Sequence, residues 1–329
     1  MIDPAFPGSR WFASPSELRR AGVIGINDRN LSLIAEQNHR ALYPRVDNKL
    51  ITKTICEQHG IPVPDTYNVI SSQGEVRRIL ELLGSHESFV IKPASGAAGR
   101  GVLVIASRDK EGFHTGSGKL VTRGELRYHV SAILSGLYSL RGQVDQAIVE
   151  QRIVCDPSLE RVSYGGTPDV RVILYRGVPA MAMVRLPTID SGGRANLHQG
   201  AIAAAIDLGT GVTYGGASRN RRVSVHPDTG NAIAGITIPE WRRLLLSAIR
   251  LGDALELGYL GLDFVVDAVR GPVVLEGNAR PGLAIQVAHR EGLRNRLDWI
   301  DHNSQPGLSP EARLGLAERL TRESRPENP

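Results

Sequence analysis

VVLEGNARPGL, residues 273–283, is an apolar run that stops abruptly at a carboxylate, a glycine, an amide, an arginine and a proline. Its branched residues predict a β-strand. Because alternate side chains of a strand share a face, Glu276 and Asn278 should point the same way. Two oxygen-bearing side chains with one residue between them have the geometry of a ligand pair.

A second strand-like run, LGLDFVVDAVRGP, lies just upstream and predicts a hairpin with the first. An even-length loop centred on the Arg270–Gly271 bond would pair Asp263 with Asn278 and Val265 with Glu276. Opposed residues share a face, so both carboxylates and the amide should project to one side, unless an odd loop or a bulge breaks the register. This oxygen cluster suits magnesium, but spacing alone leaves backbone-bonded strand-end groups as an equal alternative.

Length and composition indicate a soluble globular protein. With 329 residues and 41% apolar content, the chain can bury a large core and divide into two or three lobes. No apolar run reaches the roughly 18 residues of a membrane span, and the N-terminus lacks the pattern of a secretory signal, so we expect a cytoplasmic protein. Cys56 and Cys155 lack metal-type spacing.

The charge of the chain favours anionic small molecules as ligands. The net charge is +5, yet Arg and Lys are spread without a polybasic tract. Only 5% of residues are aromatic, which makes base-stacking surfaces hard to build. We therefore do not expect a nucleic acid as the main partner.

The order of apolar segments predicts an α+β fold with antiparallel sheets, because adjacent strands look like hairpins and strict βαβ alternation is absent. We expect a short N-terminal segment over 1–47 that includes a strand in AGVIGIN. An N-terminal lobe should follow over 48–147 and a C-terminal lobe with the metal site over 148–302. The charged tail, 303–329, is predicted to be flexible.

A glycine-rich turn, KPASGAAGRG at residues 92–101, follows a predicted strand. Its backbone can approach a ligand closely, and Lys92 could pair with phosphate oxygens, although most such turns merely connect strands. Lys49 and Lys53 are spaced to share one face of a helix over about 49–59. For Lys53 we favour a solvated helix surface.

At this point the sequence resembles a family, the ATP-grasp carboxylate–amine ligases, and in particular the RimK-like α-L-glutamate ligases. Seven pieces match in family order over residues 46–290, about three quarters of the chain: DNKLITKTICEQHGIPVP, FVIKPASGAAGRGV, AIVEQRIV, DVRVILY, GGRANLHQGA, GLDFVV and VLEGNARPGL. The resemblance implies an ATP-grasp fold, in which two lobes grip ATP between antiparallel sheets.

The resemblance also implies roles for individual residues. The nucleotide would be bound by two lysines, Lys49 and Lys92, and by the glycine-rich loop with Ser95, Gly96, Gly99 and Gly101. A further segment would hold adenine: Glu150, Gln151, Arg152 and Ile153. Arg171 would face the transferred phosphoryl group, and Asn196 would lie in a loop, predicted to be mobile, that closes on that group. The metal ligands would be Asp263, Glu276 and Asn278, with magnesium as the metal and manganese as an alternative.

Structural alternatives exist for the last assignments. Arg171 could be a cross-strand salt-bridge partner and Asn196 a turn residue, while His198 is a secondary candidate in the same loop. Three features depart from the family pattern. Asn48 replaces the usual aspartate before Lys49, the segment before it is shorter than the family's N-terminal domain, and Arg280 adds positive charge beside the metal site.

The leading hypothesis is an ATP-dependent ligase that forms an amide through an acyl phosphate, with Arg171, Asn196 and Arg280 as catalytic residues. The resemblance implies glutamate or another amino acid as amine donor and a peptide, protein C-terminus or small metabolite as carboxylate acceptor. Arg280, Arg194 and Arg185 are candidates for holding the donor's own carboxylate. The alternatives are an ATP-grasp kinase and a non-catalytic nucleotide-binding or peptide-binding module. Assembly into a homo-oligomer stays open.

Overall fold

The computed structural model describes residues 13–96, 99–139, 142–219 and 221–324. The helices are α1 (Pro15–Arg20), α2 (Ile26–Asp28), α3 (Ala35–Gln37), α4 (Pro44–Asp47), α5 (Lys49–Gln58), α6 (Gln73–Arg77), α7 (Ile79–Leu83), α8 (Arg123–Leu134), α9 (Pro157–Glu160), α10 (Trp241–Leu255), α11 (Ile285–His289), α12 (Leu293–Asn303) and α13 (Pro310–Ser324). A π-helical segment, Arg29–Ile34, joins α2 to α3.

The strands are β1 (Thr66–Ile70), β2 (Phe89–Pro93), β3 (Leu103–Ile105), β4 (Ser107–Arg108), β5 (Phe113–His114), β6 (Leu120–Val121), β7 (Ala147–Glu150), β8 (Asp169–Tyr175), β9 (Val178–Leu186), β10 (Ile202–Ile206), β11 (Thr213–Ser218), β12 (Arg221–Val223), β13 (Tyr259–Asp267) and β14 (Gly271–Asn278). They form a four-stranded sheet in the order β1-β7-β2-β3, a seven-stranded sheet in the order β12-β11-β10-β9-β8-β13-β14, and a small sheet of β4, β5 and β6. Every pairing of these strands is antiparallel, which confirms the predicted α+β class.

Two separate hydrophobic cores lie beneath the two larger sheets. The smaller core surrounds Phe89 of β2 and Leu126 of α8. The larger core lies around the seven-stranded sheet and also takes in Cys56 of α5 and Ile61. The sequence assigned residues 48–147 to one lobe, whereas α5 packs with the core of the other.

Helix α5 begins where the sequence predicts. The Asn48 side chain accepts hydrogen bonds from the backbone N–H groups of Leu50 and Ile51, at 2.9 and 3.4 Å, and so caps the helix. Gly60 has a φ of 64° just beyond the helix end. This cap fixes Lys49 as the first helical residue.

The β13–β14 hairpin differs in register from the prediction. Asp267 pairs with Gly271, so the loop has three residues, and a bulge then shifts the register between Asp263 and Phe264. Asp263 therefore pairs with Glu276 rather than with Asn278. The three-residue loop and the single bulge residue each shift the pairing by one residue, and together they restore the original alternation of faces. The predicted partners were therefore wrong, but the prediction that Asp263, Glu276 and Asn278 share a face of the sheet holds.

Two local predictions were also wrong. AGVIGIN forms no strand in the described residues; α2 begins at Ile26, and buried Leu33 and Ile34 lie further along the same helical run. The predicted flexible tail contains α13, whose Leu314, Ala317 and Leu320 are buried at helical spacing. The charged residues on the exposed face of this helix dominate the composition of the segment, so composition alone did not indicate the apolar stripe.

Candidate functional site

The centre of the seven-stranded sheet carries a buried carboxylate, Asp263, held by two arginines from neighbouring strands. Arg171 on β8 donates two hydrogen bonds to it, at 2.7 and 2.6 Å, and Arg185 on β9 donates from 2.9 Å. Asp263 is only 1% exposed. Arg171 thus makes the cross-strand salt bridge that was the alternative to its catalytic role.

A second buried carboxylate, Asp169, holds Arg185 from the other side. Arg185 donates to both of its oxygens, one of them at 2.6 Å. Burial raises the pKa of Asp169 to about 7, because Arg185 only partly offsets the desolvation and the charge of Asp263 adds to it. Burial also disfavours ionised Asp263, but Arg171 and Arg185 together outweigh this and lower its pKa. Asp263 thus accepts hydrogen bonds from two guanidinium groups, whereas Asp169 accepts them from Arg185.

Glu276 and Asn278 lie beside this cluster and are more accessible. The Asn278 amide nitrogen lies 3.4 Å from Glu276 Oε1. Lys49 Nζ lies 3.5 Å from Glu276 Oε2 and donates to the Gly96 carbonyl oxygen at 2.6 Å. Lys49 therefore joins the glycine-rich loop of one lobe to the predicted metal site of the other.

A lysine pair surrounds the buried carboxylate of Glu150 at the end of β7. Lys92 contacts one oxygen, and Lys53 donates to the other at 2.7 Å and to the Pro64 carbonyl at 2.6 Å. Burial and the neighbouring Lys92 lower the pKa of Lys53, against the pull of Glu150. The prediction of a solvated Lys53 was wrong, because its helix face turns inward toward a carboxylate 97 positions away.

The glycine-rich loop is held at its base by Asp145, whose carboxylate accepts from the Ser95 backbone N–H at 3.0 and 3.1 Å. Gly99 and Gly101 have φ values of 69° and 74°, which favour glycine. A Cβ on Gly101 would lie 2.6 Å from the Tyr138 ring. Residues 97 and 98 of the predicted loop lie outside the described residues.

The predicted adenine segment continues from Glu150 into three half-buried residues, Gln151, Arg152 and Ile153. The Gln151 backbone N–H donates to the Asp65 carbonyl at 2.8 Å. The segment is therefore tied to the start of β1 and runs from the small lobe into the large one.

Three other predicted residues, Arg280, Asn196 and His198, make none of the contacts described above. Arg280 donates to the Asp47 carboxylate at 2.7 and 2.8 Å and stacks over the Tyr43 ring at 4.8 Å. Asn196 accepts from the His198 backbone N–H at 3.0 Å and caps a single 3-10 turn, which matches its structural alternative. Its loop connects β9 to β10 at the end of β9 that carries Arg185.

The donor set partly fits a magnesium ion. Glu276 and Asn278 offer a carboxylate and an amide carbonyl on the same face, which are the oxygen ligands that magnesium prefers. Both Asp263 oxygens accept from arginines, so this carboxylate would have to exchange a guanidinium for the ion. Among the described residues, no group of three or more His, Cys, Asp or Glu side chains is arranged to hold a metal.

Sequence reasoning missed Asp169 and the inward orientation of Lys53. Asp169 had a usable signal, because it lies two residues before Arg171 and must share its face of β8. Arg185 was recognised only as a candidate for binding substrate, since its pairing with Asp169 depends on strand register. Lys53 had no local signal.

Comparisons with known proteins agree with this fold. The family model for sugar-transfer associated ATP-grasp matches residues 28–302. No curated protein matches the chain. Among the described residues, no helix is both long and apolar enough to cross a membrane.

Solved structures give more distant similarities. A RimK-domain ATP-grasp protein from Sphaerobacter thermophilus is 14% identical, with 79% of this chain and 69% of that one covered and a TM-score of 0.45. The D-alanine–D-alanine ligase from Coxiella burnetii is 18% identical, with 86% and 60% covered and a TM-score of 0.43. The ATP-grasp ligase PsnB, complexed with a precursor variant, magnesium and ADP, is 13% identical, with 84% and 61% covered and a TM-score of 0.43. The chain thus spans about three fifths of the length of the last two structures.

Proposed function

Because this chain belongs to the sugar-transfer associated ATP-grasp family, we propose that it is an ATP-dependent carboxylate–amine ligase. A carboxylate oxygen of the acceptor attacks the γ-phosphorus of ATP, and ADP leaves. An amine then attacks the acyl carbon of the acyl phosphate, loses a proton and expels phosphate. The product is an amide.

The observation that carries this proposal is the position of Lys49. Its ammonium lies within 3.5 Å of Glu276 and 2.6 Å of the Gly96 carbonyl, between the glycine-rich loop and the carboxylate–amide pair. A cation in this position can neutralise phosphate oxygens held by the loop on one side and by a metal on the other. Preorganised positive charge of this kind usually contributes more than any other effect to the acceleration of phosphoryl transfer.

The other charged groups support the same chemistry. Lys92 lies near the end of β2 and is the first residue of the glycine-rich turn, so its ammonium is a candidate for contact with phosphate. Arg171 and Arg185 present guanidinium groups suited to phosphoryl or carboxylate oxygens. Magnesium would be held by Glu276 and Asn278, with Asp263 as a third ligand, and would screen the charge of the phosphates.

The substrates follow from the resemblance to the glutamate ligases and from the family's description. We propose glutamate or another amino acid as the amine donor. The acceptor is a carboxylate of a peptide, a protein C-terminus or a small metabolite, and the association of the family with sugar transfer adds carboxylate-bearing sugars. Arg194, which is exposed in the β9–β10 loop, is the cation that we propose for the donor's carboxylate.

Product analysis tests the proposal. Pairs of amines and carboxylates are incubated with ATP and magnesium, and phosphate release identifies active pairs. A ligase gives an adduct equal to the two masses minus water. An acceptor labelled with ¹⁸O in its carboxylate should transfer one label to the released phosphate, because the attacking oxygen leaves with phosphorus. A product heavier by one phosphoryl group would instead establish a kinase.

A further inference from the structure

Glu150 is shared by two ammonium groups, and this sharing leaves an uncompensated charge inside the protein. The side chains of Glu150, Lys53 and Lys92 are 4%, 6% and 8% exposed. With all three groups ionised, the cluster contains two positive charges and one negative charge. An unpaired charge at such depth is costly unless a counter-ion meets it.

The nearest other carboxylates do not supply that counter-ion. Glu57, one turn further along α5, and Asp65, just before β1, are both exposed to solvent. Asp65 is already paired with Arg270, whose guanidinium donates to it at 2.8 Å. Charges in water are screened and interact weakly with a buried group. The surplus positive charge is therefore available to a bound anion.

The two lysines differ in how firmly they are held. Lys53 donates to Glu150 and also to the Pro64 carbonyl, which anchors it within the protein. Lys92 contacts Glu150 beside the first residues of the glycine-rich loop. An anion in that loop would thus meet Lys92, while Lys53 acts only through the carboxylate between them.

We infer that Lys53 is a positioning residue that occupies one oxygen of Glu150 and thereby leaves Lys92 free to bind a nucleotide phosphate. This inference rests on the proposed function. Without Lys53, Glu150 would neutralise Lys92 completely, and a phosphate would have to compete with a buried ion pair. The capacity of Lys92 to bind anions therefore depends on Lys53, which bonds Glu150 and the Pro64 carbonyl and acts on the nucleotide only through Lys92.

The test compares the affinities of ADP and adenosine, measured by calorimetry, because their ratio isolates the contribution of the phosphates. Lys53→Met removes the ammonium but keeps the stem, and the ratio should fall roughly tenfold or more. The double variant Lys53→Met/Glu150→Gln again carries one surplus positive charge, and the ratio should recover to within about threefold of wild type. Lys119→Met, at an exposed position, is the matched control and should leave the ratio unchanged.

The outcomes separate this inference from the proposed function. If the wild-type protein does not bind ADP, the proposed function fails and the inference fails with it. If wild type binds ADP but Lys53→Met keeps its ratio, or the double variant recovers nothing, the inference alone is wrong. If Lys53→Met does not fold, the Glu150→Gln variant tests the inference instead. Removal of the Glu150 charge should raise the ratio of ADP affinity to adenosine affinity, and a fall in this ratio would overturn the inference.

Discussion

At the scale of single residues, Glu276 is the carboxylate of the site that solvent and ligands reach most easily. Its side chain is 32% exposed, against 2% for Asp263 and 11% for Asp169. We expect Glu276→Ala to abolish turnover, because the proposed magnesium would lose a ligand and the charge of the phosphates would no longer be offset there. The fold should survive, since no buried partner is stranded. ADP release in the presence of both substrates measures this.

Glu318→Ala is a matched control for that variant. Glu318 has a similar exposure of 34% and a similar ion pair, with Arg242 at 3.3 Å. It lies on α13 and has no part in the proposed chemistry. Wild-type ADP release by a folded Glu276→Ala protein would rule out the metal-binding role.

Lys92 gives a second prediction at this scale. Lys92→Ala should weaken ADP binding by roughly tenfold or more, because one charge-assisted contact to phosphate is lost. Calorimetry with ADP measures the change, and Lys119→Ala serves as the control. Equal affinities for wild type and Lys92→Ala would remove Lys92 from the phosphate site.

Local spacing along the chain did not identify side-chain partners that tertiary packing brings together, whereas the family resemblance identified some of them. Lys49 and Glu276 were assigned from resemblance, and they do lie together. Lys53 was misjudged because its partner, Glu150, is set by tertiary packing and not by helical spacing. Arg280 was expected to act on substrate, but it pairs with Asp47, which precedes Lys49 by two residues.

At the scale of elements, strands were more predictable than their registers. The strands β8 and β9 match the predicted runs, because both are largely apolar and they are joined by a two-residue turn with positive φ at Arg176 and Gly177. The β13–β14 register depends on loop length and on a bulge, neither of which the apolar pattern encodes. The shared face was nevertheless predictable, since it depends only on whether the total shift in register is an even or an odd number of residues.

Helix α13 gives a prediction that the sequence alone would not have supported. Leu320 is fully buried against the larger core, so Leu320→Ala should lower the free energy of unfolding by about 2–5 kcal/mol. Val269→Ala, at a site that is 91% exposed, should change it by less than about 0.5 kcal/mol. Urea denaturation measures both. Equal stabilities would mean that α13 does not contribute to the core.

At the scale of the whole molecule, the site lies where segments of both cores meet. Lys92 and Glu150 belong to the four-stranded sheet, and Asp263 and Glu276 belong to the seven-stranded sheet. Lys49 contacts both sides from the start of α5. The proposed chemistry would therefore require that Lys49 keeps the two lobes in a fixed relation. Composition could indicate two lobes but not this contact between them.

The stability of the whole molecule should also depend on pH through His289, which joins α11 to the seven-stranded sheet. Its Nε2–H donates to the Ala182 carbonyl at 2.7 Å, so Nδ1 accepts from the Tyr214 hydroxyl at 2.6 Å and the ring is neutral. Burial, with the nearby Arg296 charge, lowers the pKa of His289 to about 3.

In the unfolded chain this histidine takes up a proton near pH 6.5, whereas in the folded protein it does so only near pH 3. Between these pH values the unfolded state binds one more proton than the folded state, so His289 lowers the free energy of unfolding by about 1.4 kcal/mol for each pH unit by which the pH falls.

The difference in unfolding free energy between wild type and His289→Gln should therefore shrink by about 1.4 kcal/mol for each pH unit from pH 6 to pH 4. His59→Gln, at an exposed position, is the control variant. Urea titrations at several pH values measure all three proteins, and parallel curves for wild type and His289→Gln would mean that His289 is protonated in the folded state.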